Sequence, residues 1–292
     1  MNPQLRTAGL FILLTALLVG IGYIAGYFFG NSVEFIVIFL ALAIGINLFA
    51  YFFSDRIVLW SYGARIVERH EYPRLFSIVE DVARRGNIPM PRVAVIPVQT
   101  PNAFATGRNP KNATVAVTEG ILGLLNDKEL AGVIAHEIAH IKNRDILVMT
   151  IASVIASAIS IIARFVFYSM LFGDRREREI NPVVIALAVL AAITLPIAAM
   201  LVQLAISRAR EYKADATGAK LIRNPRALAD ALRKLDRGVK RRPLDRGNPA
   251  TSSLFIVNPF SASTIVNLLS THPPIEKRIA RLEEMATRYE YL

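Results

Sequence analysis

The sequence predicts an α+β membrane protein, mostly helical, in which four long hydrophobic helices accompany a smaller polar part built on a short antiparallel sheet. Three observations carry that expectation. Of 292 residues 53% are hydrophobic, and the mean hydropathy of +0.41 is too high for an ordinary soluble domain. The apolar residues gather in four blocks, about 8–29, 35–53, 146–172 and 183–206. The polar stretch between the second and third blocks carries short β-prone runs separated by Pro, Gly and Asn.

Ala8 to Phe29 is uncharged and would be about 33 Å long as a helix, enough to cross a hydrocarbon core. A cleaved signal peptide is the competing reading. The run is long for one, lacks a clear small-residue exit, and leads through Gly30-Asn31-Ser32 into a second block, Phe35 to Phe53, so we expect a tight transmembrane hairpin in 1–53. Its turn carries no Lys or Arg, whereas Arg6 precedes it and Arg56, Arg65 and Arg69 follow it, which places both ends in the cytoplasm.

Residues 54–145 form the first part of the expected polar domain. A helix is expected around Tyr72–Arg85, then strands at Arg92–Pro97, Asn102–Gly107 and Ala113–Thr118 making the antiparallel sheet. Asn126 should cap the next helix, with Glu129 completing a capping box. A second membrane hairpin is expected in 146–206, with spans of about 146–172 and 183–206. Ala152, Ala156 and Ser160 make a small-residue stripe suited to close helix packing, and Pro196 should kink the second span. Arg175, Arg176 and Arg178 in the connector conflict with two full crossings, so deep re-entrant helices are the alternative. Residues 207–292 form the second polar part. It should hold an exposed basic helix from Pro225 to about Arg242, a loop over Pro243–Ser261 whose apolar insert Leu254–Val257 is a candidate lid, and a final helix over Ile275–Tyr289 opened by Pro273 and Pro274.

The chemistry lies in His136-Glu137-Ile138-Ala139-His140. Two histidines four apart lie on one helix face, one turn from each other, so both imidazoles can grip one ion. Glu137 sits beside that ion without binding it, placed to take a proton from a water attacking a carbonyl. Val133, Ile134, Ala135, Ile138, Ala139 and Ile141 make the helix apolar nearly all round, so it should be buried, and buried imidazoles need partners. These are the parts of a metallopeptidase. With no Cys in the chain, only His and carboxylates remain as zinc ligands. Glu211 and Asp215, again four apart, offer a third ligand and an orienting partner for a ligand His; the competing reading is helix-surface charge beside Arg and Lys. His272, at the entrance of the final helix, would stabilise an oxyanion or merely cap that helix. The net charge of +11 comes without a nucleic-acid motif, so no nucleic-acid partner is expected. Juxtamembrane Lys and Arg facing anionic lipid account for it.

Taken together, His136 to His140 with Lys142-Asn143-Arg144-Asp145, Arg210-Glu211-Tyr212-Lys213-Ala214-Asp215, Asn102-Ala103-Phe104-Ala105-Thr106-Gly107 and Thr271-His272-Pro273-Pro274 resemble the HtpX family of membrane-embedded zinc endopeptidases, relatives of the CAAX prenyl proteases. The likeness covers nearly the whole chain. It implies a zincin-like catalytic domain, one Zn2+ per chain held by His136, His140 and Glu211, and a role in membrane-protein quality control. It also implies a multi-pass protein of the cell (inner) membrane with its catalytic part on the cytoplasmic side and polypeptide substrates, membrane proteins first among them. The resemblance places a substrate-pairing strand edge at Asn102 and Ala103; the alternative is that this stretch is only a hairpin of the sheet. A CAAX-type prenyl-protein peptidase and a non-catalytic zinc-binding scaffold are the competing functions, and a scaffold has no use for Glu137. If the metal-site helix ran on unbroken, His140 would lie about 9 Å before the third apolar block, close to the membrane surface.

Overall fold

The computed structural model describes residues 3–155, 208–244, 249–260 and 273–290. The fourth apolar block, all but the first ten residues of the third, the Arg175–Arg178 connector and His272 lie outside the described residues.

Helix α1 (Pro3–Phe29) and helix α2 (Ser32–Ser61) are joined at Gly30 and Asn31, and the Asn31 side chain caps α2 by accepting from the Glu34 amide. Between the two helices Asn47 donates to the Thr15 hydroxyl at 2.9 Å, and Phe11 meets Tyr51 edge to face. Thirty residues give α2 a length of about 45 Å. Among the described residues it is the one helix long and apolar enough to cross a membrane. Its outer face leaves Val37, Ile44, Leu48, Phe49 and Phe52 exposed, a surface that water does not favour and lipid does.

Four strands follow: β1 (Arg65–Ile66), β2 (Arg92–Ile96), β3 (Ala103–Gly107) and β4 (Ala113–Thr118), ordered β1-β2-β4-β3. The sheet is mixed, not antiparallel. β2 and β4 run parallel with Ala94 opposite Ala116, while β3 and β4 form an antiparallel hairpin with Phe104 opposite Ala116. The reason lies in the connector 97–102, which carries Pro97 and Pro101. Too long and too poor in amide donors for a tight hairpin, it carries the chain past one strand position, and β4 returns into the gap. Both sheet faces are covered. Val93, Val95, Ala103, Ala105, Val115 and Val117 enter the main core with α3 (Pro73–Gly86), whereas Ala94, Ile96, Phe104 and Ala116 pack with Tyr62, Met149 and Phe255 on the other side.

Short helix α4 (Glu119–Leu124) leads to α5 (Asp127–Lys142), which begins with the expected capping box of Asn126 and Glu129. Every residue from Gly132 to Ile141 is buried. Helix α5 ends at Asn143, where Arg144 takes a left-handed φ of 58° and the Asp145 amide donates to the His140 carbonyl at 3.0 Å, before α6 begins (described over Ile146–Ile155). The metal-site helix is therefore broken from the third apolar block, and the straight-helix distance to the membrane does not apply.

Helix α7 (Arg208–Ile222) crosses α5 at Gly218, where an added Cβ would lie 2.8 Å from the His136 amide nitrogen; only hydrogen fits there. Helix α8 (Pro225–Arg241) corrects the reading of an exposed basic helix. Leu228, Leu232, Leu235 and Val239 are buried against α5 and α9 (Ile275–Glu290), and only the opposite face is basic.

Candidate active site and metal centre

Helix geometry sets His136 and His140 one turn apart on α5, and the close crossing at Gly218 brings Glu211 of α7 against them. The two Nε2 atoms are 3.3 Å apart, and Glu211 approaches them at 3.7 Å (Oε2 to His136) and 3.4 Å (Oε1 to His140). All three residues are at most 3% exposed. Four-coordinate zinc with bonds of about 2.0–2.1 Å places neighbouring ligand atoms roughly 3.3–3.4 Å apart, so the three donors already stand near the corners of such a site. The two histidines and Glu211 are a group able to hold a metal ion.

Each imidazole is backed by a carboxylate. His136 Nδ1 lies 2.9 Å from Asp215 Oδ1, as a donor to it, which leaves the Nε2 lone pair facing the centre; burial is the main force holding His136 below its usual pKa, and so neutral. His140 Nδ1 faces Asp145 Oδ2 at 3.6 Å, a charge contact longer than a hydrogen bond. Burial opposes charging of His140, yet Asp145 and Glu211 outweigh it and hold its pKa up to about 10. A site this rich in buried carboxylates calls for a cation, and a metal ion takes the proton's place.

Arg278 of α9 is a residue that the sequence reading missed. It is 1% exposed and grips Asp215 through two bonds, Nε to Oδ2 at 2.8 Å and Nη2 to Oδ1 at 2.7 Å, while Nη1 donates to the Ile256 carbonyl at 2.7 Å. Burial works to raise the Asp215 carboxyl, but Arg278 holds it down to about 2. A signal was available: Ile275, Ile279, Leu282 and Met285 form the apolar stripe of α9, and Arg278 sits within it. Asp145, which faces His140, is a second residue whose place at the site its sequence position did not announce.

Glu137 is 2% exposed, and its carboxylate faces the Ala105 amide of β3, which favours the ionised form. Burial chiefly, with Glu211 adding and His140 opposing, raises its pKa to about 7. The Thr118 amide donates to the Asn102 carbonyl, so Asn102, Phe104 and Thr106 point their backbone groups at β4 and Ala103 and Ala105 point theirs outward, toward the metal centre. The outward edge is partly engaged. The Ile256 amide donates to the Ala103 carbonyl at 3.0 Å, and Asn102 Nδ2 donates to the Val257 carbonyl at 2.7 Å. The apolar insert thus lies along the strand edge on which sequence reasoning placed Asn102 and Ala103. His272 lies outside the described residues.

Two histidines and a glutamate converging beside a buried carboxylate and an outward strand edge define a metallopeptidase. The chain belongs to peptidase family M48, which residues 69–286 match. It is 54% identical over 281 residues to a protease HtpX homolog of Pyrococcus furiosus, covering 96% of this chain and 95% of that one. A protease HtpX homolog of Thermodesulfovibrio yellowstonii is 48% identical over 285 residues, with 98% and 99% covered. Among solved structures, Ste24p of S. mikatae has the same fold with a TM-score of 0.50 at 19% identity; the match covers 96% of this chain, which spans 65% of that protein's length. The chain is therefore a membrane metalloprotease, hydrolysing peptide bonds with a metal ion.

Proposed function

We propose that His136, His140 and Glu211 hold one zinc ion and that Glu137 is the general base of a zinc endopeptidase acting on segments of misfolded or damaged membrane proteins at the cytoplasmic surface. The supporting observation is the position of Glu137, buried beside the three convergent donors and set against the outward edge of β3. Zinc so held acidifies a water and polarises the scissile carbonyl. Glu137 accepts the proton that the attacking water loses as its oxygen bonds to the carbonyl carbon, then delivers it to the amine as the C–N bond breaks. A pKa raised by burial suits a group that must both take and return a proton. Asp215, fixed by Arg278, orients His136. The substrate backbone pairs with Ala103, whose carbonyl accepts an amide from Ile256 in this structure, so a bound peptide takes the place of the insert. Both chain ends and the active site face the cytoplasm, as the positive charge around the first hairpin indicates.

The test is Glu137→Gln in purified protein. Cleavage of an unfolded membrane-protein substrate should disappear while metal content stays near one ion per chain. Retained cleavage overturns the role of Glu137, and lost metal would make Glu137 a ligand.

A further inference from the structure

We infer that the cleft at the end of the apolar stretch of α2 is a binding site for the phosphate headgroup of an anionic membrane lipid. The cleft, about 220 Å³ in volume, is lined by Arg56 from α2, Arg92 from β2, and Arg108 and Lys111 from the β3–β4 turn. Among the described residues Asp55 is the one carboxylate lining it, and Arg92 engages that carboxylate at 3.0 Å. Arg56 from α2 and Arg108 and Lys111 from the turn face one space in which, among the described residues, the single carboxylate is the one that Arg92 engages, and an anion relieves their repulsion.

The ligand is identified by where the charges are held. The Arg108 guanidinium lies 5.4 Å from the centre of the Phe52 ring and the Arg56 guanidinium 5.5 Å from that of Phe53. Both rings belong to the last apolar turns of α2, so the guanidinium groups sit where a membrane helix passes from hydrocarbon into headgroups. The exposed face of α2 that carries Phe49 and Phe52 runs out of the same cleft, giving acyl chains an apolar path that a free phosphate would not use. The turn itself is firmly built. Gly107 adopts a φ of 137° open to glycine, and the Asn109 side chain accepts from the Asn112 amide at 3.0 Å, so Arg108 and Lys111 are presented by a fixed loop. A lipid held there fixes the Gly107 end of β3 at the headgroup plane, leaving Ala103 about 14 Å farther along the strand. The membrane would then set the height and direction of the strand edge at the metal centre.

The chain's single tryptophan, Trp60, is 83% exposed one turn beyond Arg56 and serves as the probe. The full chain is placed in phosphatidylcholine nanodiscs containing a few per cent of brominated phosphatidylglycerol or, separately, brominated phosphatidylcholine, and Trp60 quenching is compared. The wild type should be quenched more by the anionic lipid. Arg108→Ala/Lys111→Ala should lower that preference on the order of tenfold, whereas the equally charge-reduced Arg69→Ala/Arg84→Ala should keep it. Millimolar inorganic phosphate should not displace the lipid. Equal quenching by the two lipids in the wild type overturns the site by itself. So does preference retained in the cleft variant, preference lost equally in the control variant, or displacement by free phosphate.

Discussion

Replacing Arg278 by Met leaves a side chain of comparable length and removes three charge-assisted hydrogen bonds, two to Asp215 and one to the Ile256 carbonyl. Asp215 is 3% exposed, so its carboxylate is stranded without a counter-charge. Breaking a buried pair on one side typically costs about 3–5 kcal/mol. Protonation of Asp215 relieves part of that loss, because the pKa of about 2 rests on Arg278 and rises without it. His136 then loses an ionised partner on Nδ1, and loss of such a partner weakens metal binding by roughly 10- to 100-fold. Two assays read the two effects: zinc competition against a chelating dye, and chemical denaturation of the metal-free protein in detergent. Arg278→Met/Asp215→Ala, which removes both members of the pair, should lose less stability than the sum of the single variants. Zinc affinity unchanged in Arg278→Met, with stability within about 0.5 kcal/mol of wild type, would refute the chain of support from Arg278 through Asp215 to His136.

Glu211→Ala should remove the metal rather than merely slow cleavage, because the ion would keep two protein bonds; zinc retained at one per chain in the purified variant would show another third ligand. Ile256→Pro deletes the amide that occupies the Ala103 carbonyl. The lost bond is worth about 0.5–1.5 kcal/mol, so peptide KM should fall by roughly 2- to 12-fold, and an unchanged or higher KM would mean the insert does not compete with substrate. Burial raises the Tyr62 hydroxyl to about 12 from an ordinary 10, against a smaller lowering by its hydrogen bond to Thr251. The folded pKa is the higher one, so the associated stability is complete below pH 10 and lost as pH rises to 12, on the order of 2–3 kcal/mol. Tyr62→Phe should lack that part of the alkaline loss in denaturation measured across the same range.

The grouping of the candidate site residues was legible because local spacing on α5 and α7 is enough to place them together. His136, His140, Glu211 and Asp215 lie at four-residue intervals, and their convergence needed only two helices crossing closely, which Gly218 permits. What depends on contacts between distant segments was not legible. The mixed sheet arises because connector 97–102 passes over one strand position; the unbroken apolar runs of β2 and β4, lacking polar alternation, were the overlooked sign of two covered faces. Helix α8 was read by its charge rather than by its Leu228, Leu232, Leu235 stripe. The break after α5 falls at Asn143-Arg144-Asp145, where neither Gly nor Pro marks it. Arg278 and Ile256 reach the site from more than 100 residues beyond the metal-site helix, and the insert's pairing with Ala103 has no local signature.

The central claim is that this chain cuts peptide bonds with a zinc ion held by His136, His140 and Glu211. Its most direct test is cleavage of a denatured membrane protein by the purified chain, followed through removal of metal with a chelator and return of stoichiometric zinc. Cleavage should fall to background as metal content falls and recover as zinc returns to one ion per chain. Cleavage that persists in fully metal-free protein would contradict it.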